Sequence, residues 1–491
     1  MTQKFPRSSS QFNAGHRARS VTYALLGTVQ TLAINIMFNF TITDILKITG
    51  GELFAGAEET PVKGFSIDSR TIKPGDIFIA VKGEHFDGHD FMDQAISRGA
   101  SGIIAERPPS GLISSNMIKV ENTIEAMVRI ARYLRGLSDI PVICITGTNG
   151  KTTVKDILSH ILSTKYKVLK SEKSYNNTIG VCLTLFGLDA SHQIAVLELG
   201  TNHFGEIRKL AEIALPDIAV INNIGRGHIE FFGDIEGVFK EKTSLLDVLP
   251  EKGTVFLNKD DAMLSSVKKC ACGKKFFGRS SGSDLLISDI QRQEEGYSFL
   301  VNGEKFNIPL EGEHNVYNAA AAIAVAKEFG IENSKIKEKL AGISPPEMRL
   351  QKMKLGDVFF INDSYNANPD SFKSALDVLS AVSSGGRKGI IAGCMMELGG
   401  ESDRMHRDLG EDIALKGFDF LITVGGNARH IAEGAKHKGM DPSNIFEADS
   451  NRTAADHMKN ITKTGDVVLL KGSRKAKLEE VLTCFTTCCT R

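Results

Sequence analysis

Ile145-Thr-Gly-Thr-Asn-Gly-Lys-Thr-Thr153 joins two segments of different periodicity. Before it, Pro141-Val-Ile-Cys-Ile145 is short, apolar and β-branched. After it, Val154, Ile157, Leu158, Ile161 and Leu162 recur at helical spacing. The order is strand, glycine loop, helix. Gly147 and Gly150 allow a tight bend, so that backbone N–H groups and the positive end of the helix surround a polyphosphate. Lys151 adds a charge and Thr152 a hydroxyl suited to Mg²⁺. The loop is shorter than the commonest phosphate-loop signature, with only Thr148 and Asn149 between Gly147 and the Gly150-Lys151 pair.

The chain has 491 residues, too many for one core, and roughly two to four domains are expected. Lys plus Arg equals Asp plus Glu at 59 each, which excludes a basic field for nucleic acid and an acidic tail. The eight cysteines are scattered, mostly in apolar segments, the pattern of a reduced, cytoplasmic protein. Cys270-Ala-Cys272 has no second Cys or His pair at zinc spacing and is expected to be a pair of free surface thiols.

Residues 1–36 combine a basic start, Lys4, Arg7, Arg17 and Arg19, with an uncharged run from Val21 to Asn39. The run contains Thr22, Gly27, Gln30 and Asn35 and lacks a small-x-small cleavage site, so no stable membrane insertion is expected. A leader without function, with translation able to start at Met37, is the preferred reading.

Residues 37–138 alternate short strands and helices. Two polar loops, Ser66 to Thr71 and Gly83 to His89, fall at strand ends. Either they are solvated turns or they receive an anionic ligand such as a nucleotide diphosphate. Residues 139–345 alternate strand and helix around the glycine loop, the pattern of a mostly parallel sheet with ligands at its carboxyl ends. Glu198 and His228 each follow an apolar strand there. A glutamate at that depth needs a partner, and an imidazole beside it is a metal ligand or an ordinary satisfied histidine. In the segment from Ile235 to Leu249, Lys242 falls within the stripe of Ile235, Val238, Phe239, Leu245 and Leu246. Such a lysine either snorkels to the rim or is buried, with a lowered pKa and an amine able to react with CO₂. Residues 346–491 alternate again, a Rossmann-like order without the dinucleotide fingerprint.

Taken jointly, Gly147-Thr-Asn-Gly-Lys-Thr-Thr153, Glu198, His228, Lys242, Asn258-x-Asp-Asp261 and His314-Asn-x-x-Asn318 resemble the Mur ligases, the ATP-dependent amino-acid ligases of peptidoglycan precursor synthesis. Asp68-Ser-Arg70, Asn176-Asn-Thr178, Asp363-Ser-Tyr-Asn-Ala-Asn-Pro369 and Lys471-Gly-Ser-Arg474 are similar to the branch that adds D-alanyl-D-alanine to a UDP-N-acetylmuramoyl tripeptide. The resemblance implies a cytoplasmic monomer of three α/β domains: a small UDP-binding domain, a central parallel-sheet P-loop ATPase domain and a C-terminal Rossmann-like domain. It implies that Gly147, Thr148, Asn149, Gly150, Lys151, Thr152, Thr153, Asn315, Arg349 and Asp363 bind ATP. Thr152, Glu198, His228 and a carbamate on Lys242 are implied around two Mg²⁺, with Lys151, Glu198, His228 and Lys242 as the catalytic set. Ser69, Arg70, Glu84, His85 and Phe86 are implied for the uridine diphosphate, Asn177 and Thr178 for the muramoyl part, and Asn366 and Asn368 for the dipeptide. The family usually reads Gly-Asp-Met-x-Glu-Leu-Gly where this chain has Gly393-Cys-Met-Met-Glu-Leu-Gly399. The alternatives are another Mur-type or folylpolyglutamate-type ligase and an ATP-binding switch. The resemblance leaves open whether the tripeptide ends in lysine or diaminopimelate.

Overall fold

The computed structural model describes residues 40–108, 115–268 and 270–487, and the leader segment 1–36 lies outside them. Three sheets organise these residues. The first has five strands in the order Glu52–Ala55, Asn116–Lys119, Gly102–Ala105, Asp76–Ile79 and Gly64–Ser66, all parallel except the pairing of the first two. A two-stranded pairing of Phe40–Thr41 with Pro61–Val62 stands beside it.

The central sheet runs Val168–Lys170, Ile194–Glu198, Val142–Thr146, Ile218–Ile221, Thr254–Asn258, Gly273–Gly278 and Leu285–Arg292, all parallel. Tyr297–Val301 and Glu304–Ile308 extend it antiparallel. Its middle strands are buried on both faces, which is why Val142–Thr146 reads as an unbroken apolar run rather than an alternation. Helix Lys151–Leu162 packs on one face against His314–Glu328, whose Ala319 to Ala322 are fully buried. Small side chains let those helix backbones approach closely, and larger ones would hold them apart.

The third sheet is ordered Gln351–Leu355, Val358–Asp363, Val467–Lys471, Lys388–Gly393, Phe420–Val424 and Ile445–Ala448, parallel except for the first, edge strand. The repeating strand-helix order therefore yields doubly wound units, as its periodicity predicts.

Two local expectations change. The helix around Lys242 stops at Thr243 and continues as a 3-10 turn over Ser244–Asp247, and Ile235 at its start is 38% exposed rather than part of the buried stripe. Cys270 and Cys272 are joined in a disulfide rather than left as free thiols. Their Cα atoms, two residues apart in sequence, lie 5.2 Å apart, inside the range a disulfide spans.

The first and central sheets share one apolar cluster. Ile130, Ala131 and Leu134 from helix Thr123–Gly136 join Val181, Leu185, Leu210 and Ala214 from the central region. Arg135 is buried in this seam, 3% exposed, and its guanidinium donates to the Ala214, Leu215 and Ser138 carbonyls and to Asp217 Oδ2. Replacing it strands several acceptors in an apolar contact. R135M is expected to destabilise the protein by about 2–4 kcal/mol in urea unfolding, whereas R452M, on the surface, changes it by less than about 0.5 kcal/mol.

Candidate active site

At Gly150 the backbone turns left-handed (φ 82°) to start helix Lys151–Leu162. A Cβ there would stand 2.3 Å from Asn318 Oδ1 and 2.5 Å from Asn222 Nδ2, so only glycine fits. Those two amides belong to a chain of asparagines under the loop. Asn315 Nδ2 donates to the Glu311 carbonyl, Asn318 Nδ2 to Asn315 Oδ1, and Asn222 Nδ2 to both Asn318 Oδ1 and the Asn149 carbonyl. Asn223 braces the loop from the other side, accepting from Asn149 N–H at 2.8 Å and donating to the Asn149 carbonyl at 3.0 Å. The loop is thus held from below and its helix-start amides face outward.

Lys151 Nζ lies over the loop and donates to the Gly147 and Thr148 carbonyls at 2.9 and 3.1 Å. Burial holds its pKa below the ordinary lysine value, with Glu198 opposing that shift and Arg349 adding to it. The Thr152 hydroxyl accepts from Arg349 Nη2 at 3.1 Å, and the Arg349 guanidinium also lies 4.3 Å from the centre of the Tyr365 ring.

Glu198, 1% exposed, ends its strand beside the loop. Asn176 Nδ2 donates to its Oε1 at 2.8 Å, and its Oε2 is buried without a hydrogen-bond partner among the described residues. Among the described residues no three His, Cys, Asp or Glu side chains gather closely enough to hold a metal alone. Mg²⁺ commonly takes one or two protein oxygens and completes its shell with phosphate and water, so the unpaired Glu198 oxygen fits it. Thr152 and His228 have other partners to give up first.

His228 adopts a left-handed conformation (φ 59°), and so does Glu397 (φ 63°), which ion-pairs with His228 Nδ1 from the third sheet's side. That hydrogen bond holds the Glu397 carboxyl below the ordinary glutamate range. Lys242 is 1% exposed. Burial, followed by the positive charge of Lys151, pushes its pKa well below the usual lysine value, with Glu241 opposing. Its neighbour Glu241 faces elsewhere, accepting from the Gly205 and Ile207 N–H groups at 2.7 and 2.8 Å.

One cleft of about 1310 Å³ collects Thr148 to Thr153, Asn177, Thr178, Glu198, His228, Asn315, Arg349, Asp363, Asn366 and Asn368. Gly147 and Lys242 do not line it; Lys242 is buried, near enough to Lys151 to feel its charge. Asp363 pairs with Lys471 Nζ at 2.5 Å, and Asn368 Nδ2 donates to Asn149 Oδ1 at 2.9 Å. Asn177 caps helix Thr178–Phe186 through Gly180 N–H. The structure does not bring the first domain's expected ligands to this cleft. Ser69 donates to Gln94, Arg70 lies in a two-bond pair with Asp68, and Glu84, His85 and Phe86 form an exposed turn.

Residues 61–140 match the description "Mur ligase family, catalytic domain", 145–326 "Mur ligase middle domain" and 348–474 "Mur ligase, glutamate ligase domain". The UDP-N-acetylmuramoyl-tripeptide--D-alanyl-D-alanine ligase of Bacillus subtilis (strain 168) is 34% identical over 452 residues, covering 91% of this chain and 98% of that one. The chain belongs to the Mur ligase family. A crystal structure of MurF from Acinetobacter baumannii matches at TM-score 0.83 with 29% identity, covering 91% of this chain and 99% of that one. MurF ligase from Thermotoga maritima in complex with ADP matches at TM-score 0.75 with 29% identity, covering 86% and 97%.

Against this Mur ligase background, Asn222 was not singled out by sequence, and Asn176, Asn318 and Glu397 stood out only within motifs, without a role of their own. The pair Asn176-Asn177 and the Glu in Met395-Met396-Glu397 were the available signals, but their partners lie far along the chain. Cys394, at the family's usual aspartate, places its Sγ 3.7 Å from Ser473 Oγ and 3.8 Å from Met396 Sδ. G150A is expected to weaken ATP binding at least about tenfold by calorimetry, because the left-handed backbone alone costs about 1–2 kcal/mol before the two amides are displaced.

Proposed function

We propose that this Mur ligase joins D-alanyl-D-alanine to UDP-N-acetylmuramoyl-tripeptide, converting ATP to ADP and phosphate, in the cytoplasmic stage of peptidoglycan precursor synthesis. The observation that carries the reading is the single cleft in which the phosphate loop, the half-satisfied Glu198 and the Asp363–Asn368 segment of the third sheet face one another. The relatives' printed names support the choice of substrates.

A carboxylate does not yield to an amine until one of its oxygens becomes a leaving group. The tripeptide's terminal carboxylate takes the γ-phosphoryl group, breaking the bond to ADP and forming an acyl phosphate. The dipeptide amine then attacks the carbonyl carbon, the C–N bond forms, phosphate leaves and the amine's surplus proton passes to solvent or phosphate. The loop amides and Lys151 hold the phosphate oxygens, and Lys151 Nζ exchanges its two carbonyl partners for them. Asn315, Arg349 and Asp363 position the nucleotide, while Asn366 and Asn368 orient the dipeptide. Mg²⁺, when bound, supplies positive charge to the transferring phosphoryl group, with Glu198 as its best-fitted protein ligand and Thr152 and His228 as further ones. Lys242, buried and inclined to the neutral amine, fits carbamate formation, which replaces a costly buried ammonium by an anion beside that charge. The substrate's length lets Ser69, Arg70 and the 84–86 turn hold the uridine diphosphate outside the cleft, Asn177 and Thr178 meet the muramoyl part, and the peptide reach Glu198.

Phosphate release should require ATP, UDP-N-acetylmuramoyl-tripeptide and D-Ala-D-Ala together; turnover with ATP alone defeats the ligase reading in favour of a switch, and turnover with D-Ala or L-Glu in place of the dipeptide favours another amino-acid ligase. K242A should lower kcat by about 100-fold or more, of the size expected when an electrostatic group of a phosphoryl-transfer site is lost. Short carboxylates should partly restore it, and ¹³C-bicarbonate should give a carbamate NMR signal in the wild type that K242A lacks.

A further inference from the structure

Lys209 stands on helix Glu206–Ala214 and lines the cleft with Leu210 of the same helix, Ile179 of helix Thr178–Phe186 and Ile124 of helix Thr123–Gly136. Ile124 is the only described cleft-lining residue from the first domain, so this patch is the wall between that domain and Glu198. Lys209 is exposed to the cleft and, among the described residues, its ammonium has no hydrogen-bond or ion-pair partner. The acidic groups nearest in sequence, Glu206 and Glu212, have other partners, Glu212 Oε1 accepting from Arg208 Nε at 3.1 Å. Glu206 Oε2 accepts from the Asn202 and His203 N–H groups at 2.8 and 3.0 Å and from Thr201 Oγ1 at 3.2 Å. Glu241 accepts from the Gly205 and Ile207 N–H groups at the start of the same helix.

A peptide anchored at the first domain and delivering its carboxylate to Glu198 has to cross this wall. Apolar surface with a free ammonium suits a methylene chain that ends in an anion, and repels one that ends only in a cation. The two candidates for the tripeptide's last residue differ in this respect. Lysine ends its methylene chain in an ammonium, whereas diaminopimelate carries a carboxylate on the same terminal carbon. We propose that Lys209 selects a tripeptide ending in a diamino acid with a distal carboxylate, by pairing with that carboxylate while the half-buried Ile124 and Ile179 cover the methylenes. The proposal rests on the ligase reading above.

The test compares diaminopimelate-ended and lysine-ended UDP-N-acetylmuramoyl tripeptides at saturating ATP and D-Ala-D-Ala. An exposed ion pair is a modest interaction, so the wild type should favour the diaminopimelate substrate by about fivefold or more, chiefly in KM. The preference should shrink as salt rises. K209M should bring the ratio of kcat/KM values close to one, and K209E should invert it toward lysine. A wild type without preference, or a ratio that K209M does not move, overturns the proposal. Equal loss on both tripeptides in K209M also overturns it, since the ammonium would then meet a group the two share, such as the uridine diphosphate. A wild type that turns over neither tripeptide defeats the ligase reading and this proposal with it.

Discussion

Asn176 donates to one oxygen of Glu198, and the other oxygen is buried at a strand end with nothing among the described residues to accept from. Burying a carboxylate oxygen without a partner costs free energy, and the strand around it offers only apolar neighbours. The surrounding architecture keeps it there. Parallel pairing on both sides fixes the strand, with Ala195 to Glu198 in register against Val142 to Ile145, so the carboxylate emerges level with the start of the glycine loop. The Ser171 hydroxyl accepts from the Glu198 N–H at 3.1 Å and locks the exit. On the other side of that loop, Lys155 of the same helix, 1% exposed, donates to the Lys173 carbonyl at 2.6 Å and so pins the segment that presents Asn176. A deficit of hydrogen bonding is thereby held in one place rather than relaxed away.

The two inter-domain seams are built from different chemistry. Between the first and central sheets lies a continuous apolar cluster sealed by buried Arg135, the construction of a permanent contact. Between the central and third sheets, Ile229 packs into the third domain's apolar cluster, and polar contacts accompany it: Arg226 with Asp370 at 2.8 Å, Lys352 with Glu311 at 2.5 Å, Asn149 with Asn368, Arg349 with Thr152. Polar, water-exchangeable seams part and re-form at little net cost. Inter-domain seams of this polar kind are the ones across which closure over a bound ligand is generally expected. His228 and Glu397, both left-handed and both non-glycine, meet across this seam, with Glu230 N–H donating to the Glu397 carbonyl at 3.0 Å. Backbone strain sits where the seam and the chemistry coincide.

How far the sequence revealed this depends on the range of each interaction. The strand, loop and helix at 141–162 are local, and their periodicity and glycines spell them directly. Lys242 was legible because three-and-four spacing reports which way a helix faces, and the structure buries it; Ile235 escaped the same stripe because the first turn of the helix is open to solvent. The asparagine chain was not legible. Asn315, Asn318, Asn222 and Asn149 come from three separate elements, and asparagine is more often a cap or a turn residue than a link in a buried network. Cys270 and Cys272 read as free because no second Cys or His pair follows at zinc spacing and the scattered cysteines indicate a reduced protein, and the structure joins them. Arg349 was read as a nucleotide contact, and its bond to Thr152 reflects a long-range docking that no local pattern announces.

The electrostatics of the cleft then explain why this arrangement calls for one particular kind of ligand. Lys151 is desolvated, has only carbonyl partners and is further disfavoured as a cation by Arg349. Lys242 is disfavoured in turn by Lys151. Lys151 and a carboxylate with an open oxygen therefore face one cleft without a hydrogen bond between them. A bare polyphosphate would satisfy Lys151 and repel Glu198; a bare cation would do the reverse. A polyphosphate carrying a divalent cation satisfies both at once, and the loop amides add donors to it without adding net charge. The binding energy comes from defects already present in the folded chain, so the site is organised before its ligand arrives and little reorganisation remains to be made at the moment of phosphoryl transfer.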